Sequence, residues 1–164
     1  MDAERPGVGE LKLTLPAVAR FTQESRWVSV IAAPHIPYAP AFAAQGVRLE
    51  HLLFVRPGSV QDNVWASEQA LSASCCGAVL LWQEHVNERA LRRLQLAAES
   101  ASTVLFLFRS ARVAPASPAA LRLHVSRMQG RTIVRILKRR GGGLPAPIAL
   151  DLHGTRVSRY RPAV

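Results

Sequence analysis

The sequence predicts an α/β fold: a mainly parallel sheet flanked by helices, followed by an antiparallel C-terminal hairpin. Three observations carry this reading. Short, nearly unbroken apolar runs at 27–33, 52–55, 78–82 and 104–108 read as strands, the first of them buried on both faces. Segments of helical periodicity lie between them, so strand and helix alternate as parallel crossover connections require. After Phe108 the alternation stops. Residues 121–128 and 131–137 then flank the two-residue link Gln129-Gly130, the spacing of a hairpin.

Each element has a local reason. Residues 1–9 hold Pro6, Gly7 and Gly9 and read as an irregular lead-in. From 11 to 21, Leu11, Leu15, Val18, Ala19 and Phe21 suit one helix face, and Pro16 predicts a kink or a later start. Pro34, Pro37 and Pro40 break regular structure after the first strand; a short helix is expected over 39–45, stopped by Gly46. Pro57-Gly58 closes the second strand, and Ser59-x-x-Asp62 has the spacing of an N-cap for a helix ending near Ala73. Asn87 is placed to cap a helix over 88–100, with Leu91, Leu94 and Ala98 inward and Arg89, Arg92 and Arg93 outward. Residues 148–152 add one more strand. A single domain is expected over 1–155, with a basic tail, 156–164, that frays.

The chain has 164 residues, 49% of them hydrophobic, which suits one folded domain. No apolar run approaches the roughly 20 residues of a membrane helix, and the first residues carry acids and prolines rather than a leader pattern. The two cysteines, Cys75 and Cys76, are adjacent and cannot staple a fold, so a reducing, cytoplasmic setting is expected. The net charge of +10 is uneven. Beyond residue 100, twelve bases face one acid, Asp151, whereas the first 100 residues hold nine bases and ten acids. A one-sided basic surface points to an anionic partner, nucleic acid or an acidic protein face. The plainer alternative is an arginine-rich but merely solvated surface.

Catalytic patterns are missing where they would matter. A phosphate-binding loop needs Gly-Lys-Ser/Thr at a helix start, the Lys neutralising phosphate and the hydroxyl holding Mg²⁺. The matching turn reads Gly7-Val-Gly9-Glu10-Leu11, with an acid where the cation belongs and an apolar side chain in place of the hydroxyl. The third strand ends in Trp82 rather than a Mg²⁺-handling Asp. His35, His51, His85, His124 and His153 show no metal-ligand spacing, and Trp65 and Trp82 read as core or interface aromatics. Neither a cofactor nor a metal nor a small-molecule substrate is expected, and the chain reads as a non-enzyme.

The order of these segments resembles the RecA core. Residues 9–15 stand where RecA proteins carry their P-loop helix. Ile31-Ala-Ala-Pro34-His35 stands where they carry a strand ending in a catalytic Glu and a His. Residues 78–82 resemble the Walker B strand, and Val134-Arg-Ile-Leu-Lys138 a late strand that carries a lysine. A closer resemblance is to the ImuA family of damage-induced mutagenesis, within the SulA cell-division-inhibitor superfamily. Its motifs are Gly9-Glu-Leu-Lys-Leu-x-Leu-Pro16, Arg26-Trp-Val28, Ala33-Pro-His-x-Pro-Tyr-Ala-Pro40, Trp65-Ala-x-Glu-Gln-Ala-Leu71, Cys76-Gly-Ala-Val79, the 90–99 helix segment, Ser117-Pro-Ala-Ala-Leu-Arg-Leu123 and Ile136-Leu-Lys-Arg-Arg-Gly141.

The resemblance implies a non-catalytic accessory of the SOS response that works with RecA and with an assembly of ImuB and an error-prone polymerase. ImuA-like chains run longer at the N-terminus, so it also implies a sheet without its first core strand and with an inner strand edge exposed. Two surfaces are candidates for contact: the helix face with Arg89, Arg92 and Arg93, and the basic segment with Arg135, Lys138, Arg139 and Arg140. A plain solvated face is the alternative for each. Other readings are division inhibition of the SulA type, by binding the tubulin-like FtsZ protein, and direct DNA binding through the basic C-terminal region. No membrane partner is expected.

Overall fold

The computed structural model describes residues 9–110, 117–151 and 157–159, the last three as backbone. The chain divides into two compact units, Thr14–Arg109 with Val113–Pro118, and Met1–Leu13 and Ser110–Arg112 with Ala119–Val164. The division falls within the first helix.

The larger unit is an α/β layer structure. Helix α1 (Glu10–Gln23) leads to β1 (Trp27–Ile31), the short helix α2 (Ala39–Ala43), a 3-10 turn at Leu49–His51, and β2 (Leu52–Val55). Then follow α3 (Val60–Ser72), β3 (Cys76–Trp82), α4 (Glu88–Ala101) and β4 (Val104–Phe108). All four strands are parallel, in the order β2-β1-β3-β4. Both faces are covered along most of β1 and β3: β1 is buried from Val28 to Ile31, Ser29 its one polar residue, and β3 from Cys76 to Leu81.

On one face Ile31, Val79 and Leu81 pack with Leu71 of α3 and with Leu91 and Leu94 of α4. Fully burying one such side chain stabilises by about 1.5–3 kcal/mol. Helix α1 runs through Pro16, which gives no N–H to its ladder, and turns Leu15, Val18, Ala19 and Thr22 inward. Phe21 lies directly over Gly77: a Cβ on that glycine would sit 2.8 Å from the Phe21 Cβ and Cγ atoms.

Capping sets where the helices start. The Asp62 N–H donates to Ser59 Oγ at 3.1 Å, and the Ala90 N–H to Asn87 Oδ1 at 2.8 Å. Helix α4 ends on Ser102 in the left-handed region, φ 52°. The Cys76 carbonyl accepts from Arg26 Nη2 at 2.6 Å and from Thr103 Oγ1 at 3.1 Å, and the Arg26 guanidinium lies over the Phe21 ring. The 26–28 motif thereby joins the start of β1 to the start of β3.

The smaller unit holds an antiparallel sheet, β5 (Leu121–Met128), β6 (Arg131–Arg139), β7 (Ile148–Leu150) and β8 (Val157–Arg159), in sequence order. Gln129 and Gly130 both have positive φ, 50° and 76°, the primed turn that matches the twist of two paired strands. Of the basic tail expected from 156, Val157–Arg159 pair with β7; Arg156 and residues 160–164 lie outside the described residues. Along β5 and β6 the register shifts between Arg122 and Leu123, so Leu137 is an extra residue on β6.

Candidate functional site

Parallel α/β sheets collect ligands beyond the strand C-termini, where the strand order reverses; here that point lies between β1 and β3. After β1, Ala32 takes φ 53°, and its N–H donates to the Val55 carbonyl at 3.0 Å. At the end of β3, Trp82 stacks on Phe108 of β4, ring centroids 4.3 Å apart. Gln83 accepts from Asn63 Nδ2 at 2.7 Å. These strand ends thus present aromatic and amide groups.

Gly7 of the glycine turn lies outside the described residues. Gly9 accepts the Leu13 N–H at 3.2 Å, and Glu10 and Leu11 open α1. An acid in a first helical turn suits the positive end of the helix dipole and repels phosphate. Among the described residues, no group of three His, Cys, Asp or Glu could hold a metal ion, and no helix is long and apolar enough to cross a membrane. Cys75 is exposed and Cys76 buried; burial pushes the Cys76 thiol above its usual range, although hydrogen bonds with Ser29 oppose the shift.

Two surfaces hold the candidate contact residues. The first is on α3 and α4. Arg89, Arg92 and Arg93 are all exposed, as the sequence predicts, but they play different parts. Arg93 forks onto the Glu68 carboxylate of α3 through Nε and Nη2, and that pairing holds its guanidinium above its usual pKa. Arg92 donates to Gln95 Oε1 at 2.9 Å. Trp65 is 61% exposed, one turn before Glu68 on the same side of α3, which excludes the core half of the core-or-interface reading. Leu96 on α4 is 50% exposed. Trp65 was legible: Val64, Ser67 and Leu71 form the inner stripe, and a tryptophan at 65 falls beside it.

The second surface is one face of the β5–β6 ribbon. Residues opposite each other across a ladder share a face. His124 pairs with Arg135 and Arg122 with Lys138, and 122 and 124 share a face of β5, so Arg122, Arg135 and Lys138 come together. The bulge at Leu137 does this, since a spacing of three in a regular strand would part Arg135 from Lys138. Arg139 pairs with Leu121 and belongs to the opposite face, with Leu123, Val125, Arg127, Thr132, Val134 and Ile136. The register thus groups Arg122 with Arg135 and Lys138 and sets Arg139 on the other face. The Arg140 N–H donates to the Ala120 carbonyl at 3.1 Å and ends the ribbon.

No family model matches the chain, and no curated protein sequence does. Among solved structures, the chain is similar to the crystal structure of SulA from Pseudomonas aeruginosa, with a TM-score of 0.51 and 22% sequence identity. The likeness covers 61% of this chain and 87% of that one, and what it shows is a shared fold.

Proposed function

We propose that this chain is a non-catalytic accessory protein of the SOS response that supports translesion DNA synthesis through contacts with RecA and with an ImuB–polymerase assembly. The observation that carries the reading is the α3–α4 surface. An exposed Trp65 beside the paired Glu68 and Arg93, with Leu96 close in type and exposure, is the composition of a protein-docking hot spot rather than of a solvated helix face. The SulA-like fold and the ordered ImuA-type motifs support the same reading, with the core taken as RecA-like and its Gly7–Leu11 turn as a degenerate P-loop that does no nucleotide chemistry. In a strain lacking this protein, damage-induced mutation is expected to fall to the spontaneous level. The unchanged chain restores it, and Trp65→Ala at equal abundance does not. Restoration by Trp65→Ala at full strength contradicts the assignment of the surface.

A second reading has its own support in the SulA-like fold: division inhibition through FtsZ. Overproduction would then give filamentous cells in an otherwise undamaged culture. Normal division at high abundance removes that reading.

A further inference from the structure

We propose that the basic face of the β5–β6 ribbon binds the phosphate backbone of duplex DNA. The ribbon from 121 to 140 carries seven Arg and Lys residues and no acid. The register, together with the bulge at Leu137, gathers Arg122, Arg135 and Lys138 on one face, with His124 opposite Arg135. Arg131 is on that face two pleat repeats away, with the buried Ile133 between it and Arg135. The row from Arg131 to Lys138 spans about 24 Å at 3.4 Å per residue, comparable to about seven steps of 3.4 Å along the axis of B-DNA.

Three features favour a duplex over the other anionic partners. The other face carries Leu121, Leu123, Val125, Val134 and Ile136 along with Arg127 and Arg139, so the charge is denser on the face of Arg122, Arg135 and Lys138. Between 117 and 151 the chain has no Phe, Tyr or Trp, so the face lacks the stacking platforms that single-strand binders use. It also lacks the buried aromatic anchors that give protein interfaces most of their energy. What remains is clustered charge, which is how a protein contacts a duplex without reading its sequence. The surface is separate in residues from the α3–α4 face, and its test does not depend on RecA.

The experiment is fluorescence anisotropy of the full chain with a labelled duplex of about two helical turns, about 21 base pairs, across a salt series. Binding that weakens linearly in log-log form as salt rises is expected. Arg122→Ala/Arg135→Ala/Lys138→Ala lowers the magnitude of that slope by about 2–3, since each phosphate contact contributes about 0.9. The charge-preserving Arg122→Lys/Arg135→Lys variant keeps it, and Arg139→Ala, on the other face, changes it by less than about 1. Unchanged circular dichroism keeps the triple variant interpretable. Trp65→Ala is expected to leave DNA affinity unchanged even where it abolishes damage-induced mutation. Absence of duplex binding by the unchanged chain overturns the proposal. So does a triple variant no weaker than Arg139→Ala, or a polyglutamate chain that displaces the duplex at equal charge and marks the face as one for acidic protein.

Discussion

Gly77 has no side chain because α1 leaves no room for one. A Cβ built there lies 2.8 Å from Phe21 Cβ, 2.8 Å from Cγ and 2.9 Å from Cδ1. Ordinary contact begins near 3.5 Å, so Gly77→Ala needs a movement of about 0.7 Å between α1 and β3. A rotamer change of Phe21 could remove the ring atoms but not its Cβ, which is fixed to the helix backbone. The helix itself must shift, against the close packing of Leu15, Val18 and Ala19. Overpacking of this kind costs about 1–3 kcal/mol, or roughly 4–8 °C in Tm for a 2 kcal/mol loss in a chain of this size. All three tryptophans, Trp27, Trp65 and Trp82, belong to the larger unit, so intrinsic fluorescence follows its unfolding. Phe21→Gly, which takes the opposing Cβ away, is destabilising by itself, but in the double variant Gly77→Ala is expected to become nearly neutral. A Gly77→Ala chain that melts with the unchanged protein, or a double variant whose losses simply add, refutes the steric account.

Other expectations follow from particular groups. Trp65→Ala removes a side chain of which about 120 Å² remains open, taking about 200 Å² for a tryptophan and 61% exposure. A partner that covers it gains about 3 kcal/mol, so affinity for that partner is expected to fall about 100-fold by calorimetry or anisotropy. Gln129 holds a left-handed φ of 50° that costs an ordinary residue about 1 kcal/mol; Gln129→Asn is expected to raise Tm by about 2–4 °C in a thermal melt followed by circular dichroism. For Cys76, burial raises the folded-state thiol pKa above the ordinary 9.0. Between the two values the unfolded chain has lost a proton that the folded chain keeps. Its stabilising contribution is therefore complete below about pH 9 and lost as pH rises through the folded value. Melts from pH 8 upward are expected to decline more steeply for the unchanged chain than for Cys76→Ala, while Cys75 reacts with a thiol reagent in the folded state and Cys76 only on unfolding.

Much of the fold could be read locally. Capping side chains mark the starts of α3 and α4, because Ser59 and Asn87 each have an N–H three residues on to satisfy. The strands at 52–55 and 104–108 fall where the apolar runs do, although Leu53, Phe54 and Val104 are exposed and the other positions half-buried. The proline in α1 is ambiguous in sequence; the structure carries the helix through it because burial of Leu15, Val18 and Ala19 outweighs one missing N–H. Strand order was not legible: four similar apolar runs are compatible with several orders, and only long-range packing selects β2-β1-β3-β4.

The surfaces were legible in part. Arg89, Arg92 and Arg93 stand out by helical spacing, but the pairing of Arg93 with Glu68 joins two helices 25 residues apart and has no local signature. In the ribbon, the charges are obvious and their faces are not. One extra residue at 137 reverses the alternation, so that Lys138 joins Arg135 and Arg139 does not. A bulge in an apolar-basic stretch such as Ile136-Leu-Lys138 carries no residue type of its own to announce it.

The most direct measurement of the functional account is the affinity of the purified full chain for purified RecA, with and without Trp65→Ala and Arg93→Ala. The account predicts a measurable Kd for the unchanged protein and a loss of about 100-fold with Trp65→Ala at unchanged fold. Arg122→Ala/Arg135→Ala/Lys138→Ala should leave RecA affinity intact. No binding of RecA by the unchanged chain, or binding indifferent to Trp65 and Arg93, would contradict it.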